Sequence, residues 1–429
     1  MKRRRVRAGA VLAGVALAAS LLTACGGSSN SSGSSGGVVD LSFWNGLTGP
    51  DKAAVDQVIA GFNASHPKIK VSSSPTPWDV LYSKLLPAFS AGKGPDLVGI
   101  SSDQLPGYAE KHVLQPIDSL LSGGDIDKST IVQSALTAGA YQGKQYGLPI
   151  EATPLMLYYN KKEFAAAGIT AAPTTWDEWA ADAKKLTLPG GLNGQPKQYG
   201  MAIGTNNTVE LFPILMWQAG GGIFSDDGSK NLLGSDQSKQ AVQYWANLIH
   251  NDHISPPGLS GADADKLVSA GTAAMEVNGP WATTGYKQAG IDYGLAPIPT
   301  GPNGQHISLG NTTVLAISSA ASSAKAKAAA QFYAYWAQKD VQIKFTQGSG
   351  FPPVTTNVSA ADLASNPDVA SFAGQSGTTR PLAPGQTKFA DIQSDIFDPT
   401  IEKIINNPSK TNDLLDQAAS QLTAMVGSN

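Results

Sequence analysis

Short apolar runs alternating with amphipathic stretches organise the chain from residue 38 onward. Val38-Val39-Asp40-Leu41-Ser42-Phe43-Trp44 reads as a strand. A helix follows with Pro50 near its first turn, because Val55, Val58, Ile59 and Phe62 fall at i, i+3, i+4 and i+7; His66-Pro67 ends it. Residues 69–73 form a second strand, Trp78–Ser90 a helix in which Pro87 predicts a kink or an early stop, and Leu97–Ser101 a third strand. Thr175-x-x-Glu178 is a capping box for a helix that places Trp176, Trp179, Ala180 and Ala183 on one face. Further helices are expected over 237–251 and 321–338, and strands over 273–277, 292–296 and 312–318. Strand and helix alternating in this way predict an α/β architecture with mostly parallel sheets. There is no internal repeat.

The first residues read differently. Lys2, Arg3, Arg4, Arg5 and Arg7 precede an Ala/Val/Leu/Gly stretch over 8–22, and small residues then lead to Cys25. This is the form of a secretory signal peptide over 1–24. The stretch is short and rich in Ala and Gly, which argues against a permanent spanning helix. Leu22-Thr23-Ala24-Cys25 resembles the bacterial lipobox, which implies acylation of Cys25. Residues 25–37, mostly Gly and Ser, would then be a lipid-anchored flexible tether holding the protein at the extracellular or periplasmic face of a cell membrane.

At 429 residues the chain is too long for one ordinary core and suggests two domains. Five of its 30 Lys and Arg, and none of its 33 Asp and Glu, precede Cys25, so the remainder carries a formal charge near −8. That is a poor match for a polyanion and excludes nucleic acid as a natural partner. A lone cysteine excludes an internal disulfide and any zinc site built on four, or on two, cysteines. No His-Glu-x-x-His pair, phosphate loop or nucleophile elbow occurs; Gly374-Gln375-Ser376-Gly377 is followed by Thr378 where the elbow needs Gly. No metal, cofactor or enzymatic activity is expected.

Five segments, in order, carry a resemblance. They are Leu41-Ser42-Phe43-Trp44-Asn45-Gly46 with Gly49-Pro50-Asp51; Gly94-Pro95-Asp96-Leu97-Val98 with Leu114-Gln115-Pro116-Ile117-Asp118; Gly143-Lys144-Gln145-Tyr146-Gly147-Leu148-Pro149 through Tyr159-Asn160-Lys161; Ala274-Met275-Glu276-Val277-Asn278-Gly279-Pro280-Trp281; and Tyr293-Gly294-Leu295-Ala296-Pro297-Ile298-Pro299. Together they resemble the extracellular solute-binding proteins of ABC sugar importers, family 1, of the maltose-binding type. The resemblance implies a two-lobed type II periplasmic-binding-protein fold, each lobe a mostly parallel sheet flanked by helices. Lobe 1 would take residues 38–150 plus 299–345, and lobe 2 residues 151–298 plus 346–429. Ligand would sit in the cleft between them.

A sugar presents a weakly apolar CH face and a ring of hydroxyls, so it asks for aromatic platforms and for side chains that bond two hydroxyls at once. Trp176, Trp179, Trp245 and Trp336 lie in amphipathic helices and read as core. Trp44, Trp78, Trp217 and Trp281 stand at strand exits or helix ends beside Gly, Pro or Asn and are the candidate platforms; Trp281 matches the family's aromatic after Gly-Pro. The resemblance places acidic sugar ligands at Asp103 and Glu151. Asn45, Thr48, Asn206, Asn278 and Asn311 are the remaining polar candidates, with Asp51 divided between ligand contact and a favourable place in the first helical turn. One departure stands out: Ile100 and Ser101 replace the aromatic that the maltose-type pattern carries before Asp103.

The expected function is a membrane-tethered, monomeric binding protein that captures a sugar or oligosaccharide and delivers it to an ABC permease. The alternatives are the same fold holding a non-sugar solute, such as a glycerophosphodiester or polyamine, and a secreted carbohydrate-active enzyme.

Overall fold

The computed structural model describes residues 37–49, 51–124, 126–206 and 211–427. The expected signal peptide over 1–24, the expected acylation site Cys25 and all of the expected tether but Gly37 lie outside the described residues.

The strand Val39–Asn45 pairs in parallel with Ile69–Pro75 on one edge and with Leu97–Ser101 on the other. A strand covered on both faces needs apolar side chains facing both ways, and Leu97, Val98 and Ile100 are all fully buried. Leu97, Leu315 and Ile317 face a layer containing Phe43, Phe62, Phe332 and Trp336. Val98, Ile100, Val314 and Ala316 face the opposite layer, with Leu85, Leu105 and Tyr108. The two-residue period of the strands therefore divides one sheet between two apolar layers.

The helix Asp51–Ser65 supplies Val55, Val58, Ile59 and Phe62 to the first layer, the residues its spacing selects. Trp78–Ser90 runs through Pro87 without stopping, because the proline falls in the last turn. At the Trp176–Leu186 helix, Thr175 Oγ1 accepts the N–H of Glu178 as the capping box requires. The Glu178 carboxylate, however, accepts from the N–H and hydroxyl of Thr174, one residue earlier than the motif predicts.

The long strand Ser308–Ile317 lies antiparallel to Leu97–Ser101 on one side and to Gly147–Pro154 on the other. Its first residues, Ser308 and Leu309, also pair in parallel with Thr379 and Arg380. Only Leu155 separates Gly147–Pro154 from Met156–Asn160, which is the central strand of a second sheet. There the expectation of mostly parallel pairing fails. Met156–Asn160 is antiparallel to both neighbours, Met275–Asn278 and Tyr293–Ala296. These two neighbours are joined through the helix Ala282–Gln288 and run the same way, leaving one strand position open between them. The strand arriving directly from the first sheet fills that position in the opposite direction.

The first sheet with its two apolar layers forms one body, and the second sheet belongs to another, whose core is rich in tryptophan. Trp179 and Trp245 are fully buried, their rings 4.6 Å apart in an edge-on arrangement, and Trp176 packs edge-on to Trp245 at 5.6 Å. Trp336 is buried in the first body. All four helical tryptophans are thus core. The C-terminal helices Asp398–Asn406 and Thr411–Val426 add Ile401, Ile404, Ile405, Leu415 and Leu422 to the second core.

Candidate ligand-binding site

Gly147–Pro154 and Ser308–Ile317 cross together between the two bodies, and their register sets Thr153 opposite Asn311 and Glu151 opposite Thr313. Directly paired residues of an antiparallel ladder share a face, and so do residues two apart, so these four side chains share one face of the crossing. Thr153 Oγ1 donates to the carbonyl oxygen of Asn311 at 2.8 Å. Asn311 Oδ1 accepts from Ser101 Oγ at 2.9 Å, Ser102 Oγ at 3.1 Å and the N–H of Thr312 at 2.7 Å.

A cavity of about 670 Å³ opens at the Thr153–Asn311 end of the crossing; Asp103, Thr153 and Asn311 line it, and Glu151 and Thr313 do not. Residues 132–143 of the first body and Asp226 of the second add to its wall, as does the stretch 381–385. No Lys, Arg or His is among the described residues that line it. Asp226 is held by Arg380, whose guanidinium lies 3.2 Å away.

Asp103 is 5% exposed. Burial pushes its carboxyl up to about 6, against the opposing effect of the nearby Ala383 and Leu382 backbone N–H groups and the Ser101 side chain.

Glu151 is 1% exposed and Asp51 6%. Burial, and then the proximity of Asp51, hold the Glu151 carboxyl well above its usual range, opposed by a hydrogen bond from Thr313. Burial likewise raises Asp51 to about 6, although backbone N–H groups at the start of its helix oppose the rise. Asp51 Oδ1 and Glu151 Oε1 each lack a hydrogen-bond partner. Buried polar atoms are normally satisfied, so both carboxyls are exceptions, and their raised values fit oxygens that keep a proton rather than a charge.

Two aromatic candidates lie at edges of the apolar cores. Trp281 is half-buried, rests over Gly279, lies 6.5 Å from Phe351, and packs against the cores of both bodies. Trp78 is half-buried over Gly46 and stacks on Tyr82 at 5.7 Å. Trp44 is half-buried beside Tyr82, Leu86 and Phe89, in the packing layer of the first body.

Several expected contacts are internal. Asn45 is fully buried; its Nδ2 donates to Ser73 Oγ at 2.9 Å and its Oδ1 accepts the N–H of Leu47 at 3.2 Å, so it fixes the turn after the first strand. Asn278 donates to Asp265 at 2.6 Å and accepts the N–H of Gly279 at 2.8 Å. Trp217 is 4% exposed within the second core, as the apolar helix around it requires. Of the expected ligand contacts, Asp103 and Asn311 line the cavity, whereas these three, with Trp44, Trp78, Trp281 and Glu151, are not among its described lining residues. Thr48 is exposed, and its N–H donates to the Gly46 carbonyl at 2.9 Å. Asn206 ends a short strand opposite Ser260.

Sequence reasoning missed Ser101, Ser102, Thr153 and Thr313. A Ser pair directly after an apolar strand, and Thr two residues beyond Glu151, were the available signals.

The chain can now be set beside known proteins. The model of the bacterial extracellular solute-binding protein family matches residues 57–371. A putative binding protein of Brucella abortus is 30% identical over 394 residues, 89% of this chain and 91% of the relative. A galactooligosaccharide-binding protein of Bacillus subtilis is 27% identical over 304 residues, 67% of this chain and 66% of the relative. Among solved structures, an ABC substrate-binding protein of Listeria monocytogenes in complex with cycloalternan superposes with a TM-score of 0.80 at 23% identity, covering 91% of this chain and 100% of that one. UgpB of Mycobacterium tuberculosis in complex with glycerophosphocholine gives 0.81 at 22% identity, covering 91% and 98%. These superpositions identify the two bodies as the lobes of a type II binding-protein fold. The chain belongs to the bacterial extracellular solute-binding protein family.

Proposed function

We propose that this protein is the solute-binding component of an ABC importer and that its ligand is a sugar or oligosaccharide held in the inter-lobe cleft. The observation that carries this reading is the cavity wall. Asp103, Thr153 and Asn311 converge there as hydrogen-bonding groups, with no basic side chain among the described lining residues. Such a wall suits hydroxyls, whereas a phosphodiester asks for Arg or Lys. The fold shared with the glycerophosphocholine-bound protein therefore leaves that solute the weaker alternative. The galactooligosaccharide-binding relative points the same way.

In this reading Trp281 and Trp78 offer aromatic faces, Asp103 and Glu151 accept hydroxyl protons, and Asn311 holds the serines that shape the wall. Lobes of residues 38–150 plus 299–345 and 151–298 plus 346–429 close about the crossing strands, with no chemical step. The protein acts as a monomer anchored through Cys25 and presents its cargo to permease subunits. A thermal-shift screen of purified protein against saccharides, polyols, polyamines and glycerophosphodiesters tests it. Ligand at a hundredfold excess over Kd adds about 2.7 kcal/mol. A shift with one saccharide, recovered intact, supports the reading; a shift with only a charged non-sugar, or turnover of a glycoside, overturns it.

A further inference from the structure

A second cavity, of about 420 Å³, adjoins the first. Ala140, Tyr141, Gln142 and Gly385 line both. Three of these belong to one hairpin, in which Ala140–Tyr141 pairs antiparallel with Lys144–Gln145 through the turn Gln142-Gly143. Both turn residues have positive φ, 47° for Gln142 and 74° for Gly143. Such a turn matches the twist of a hairpin, and its first position ordinarily takes Asn, Asp or Gly. Glutamine is held there against its backbone preference. Its side chain belongs to the wall between the cavities, and its Nε2 donates to Tyr141 Oη at 3.1 Å.

Tyr141 is the one aromatic residue among the described residues lining either cavity, so it offers a ring face to a sugar that passes from one to the other. The far cavity is polar. Glu110 and Lys388 bring one charge of each sign to it, and Lys388 Nζ donates to the Met425 carbonyl at 2.6 Å. Gln386 also lines it, with Nε2 donating to the Gly228 carbonyl at 2.8 Å. Balanced charge with amide groups suits a neutral polyhydroxyl solute better than an ion. At about 30 Å³ for each water-sized group, the first cavity has room for about two hexose rings and the second for about one more. We infer that the two cavities are one elongated site, in which Tyr141 is the platform at the junction and the far cavity, with Glu110 and Gln386, takes the third ring of a neutral oligosaccharide. This rests on the sugar reading above and narrows it to cargo of three rings or more.

Calorimetry on the purified protein tests it with mono- to tetrasaccharides of the α-1,4-glucose, β-1,4-galactose and α-1,5-arabinose series. In the series that binds, the trisaccharide is expected to bind at least about tenfold more tightly than the disaccharide, and the tetrasaccharide about as tightly as the trisaccharide. Glu110→Gln and Gln386→Ala are expected to reduce the advantage of the third ring to about twofold or less, with melting curves showing that both variants fold. A mono- or disaccharide that binds as tightly as its trisaccharide would overturn the inference and leave the sugar reading intact. An advantage of the third ring that survives both substitutions would also overturn it. No binding by any of these saccharides would overturn this inference and the sugar reading together.

Discussion

The carboxyl of Asp103 lies beside the backbone N–H groups of Ala383 and Leu382, some 280 residues further along the chain, so the end of the Leu97–Ser101 strand region meets the stretch that leads into the C-terminal helices. A ligand hydroxyl that reaches Asp103 competes with these backbone donors. Asp103→Asn keeps an acceptor but gives up the charge that makes such bonds strong, and a charge-assisted hydrogen bond contributes about 1.5–3 kcal/mol. The expected result is a loss of about tenfold or more in ligand affinity by calorimetry, with the melting temperature little changed.

Trp281 touches the cores of both lobes as well as lying at their junction. Trp281→Ala is therefore expected to cost about 2 kcal/mol in stability, less than a fully buried tryptophan, and about tenfold in affinity. Trp281→Phe should restore most of the stability. Calorimetry and urea titration separate the two effects, and unchanged affinity would remove Trp281 from the site.

Removing a ring from the second core gives the opposite pattern. Trp179 is fully buried against Trp245. Trp179→Ala is expected to lower stability by about 3–5 kcal/mol while leaving the affinity of the folded fraction near wild type.

Stability without ligand should depend on pH in an unusual direction. Asp51 and Asp103 are raised to about 6, and Glu151 and Asp265 are also raised by burial. The folded state holds these protons where the unfolded chain releases them, so the associated stability is present below about pH 4 and is lost as pH rises through the folded values. Asp51, moved from 3.8 to about 6, accounts for on the order of 3 kcal/mol over that range. Scanning calorimetry should give a higher melting temperature at pH 5 than at pH 7.5, and Glu151→Gln should reduce the difference. A flat profile from pH 5 to 7.5 would contradict it.

The parts of the fold that were legible in sequence are those fixed by local periodicity. Val55, Val58, Ile59 and Phe62 announced their helix, and the spacing of Trp176 and Trp179 announced a buried face. Asn45 and Asn278 looked like ligand contacts because the same amide chemistry serves turns and sugars; what distinguishes them is a partner, Ser73 or Asp265, that spacing does not reveal. Asp103 and Asn311 were named from sequence, but the serines and threonines that surround Asn311 were not, since hydroxyls in such positions serve turns and strand ends as readily as a binding wall. The burial of Asp51 and Glu151, each with one oxygen left without a partner, depends on tertiary packing that spacing does not reveal. The antiparallel second sheet depended on a strand entering without a helical crossover, which apolar content alone does not disclose.

The strand Ser308–Ile317 has a consequence for the order in which the protein can be made. It is the middle of the first lobe's sheet, yet it is synthesised after some 150 residues of the other lobe. The second lobe in turn waits for helices that end at Val426. A nascent chain of three hundred residues therefore lacks the middle strand of the first sheet and, although it holds all three strands of the second, lacks the C-terminal helices that complete the second core. Contacts so distant in sequence are slow to assemble, which keeps the growing polypeptide loose until synthesis is nearly done.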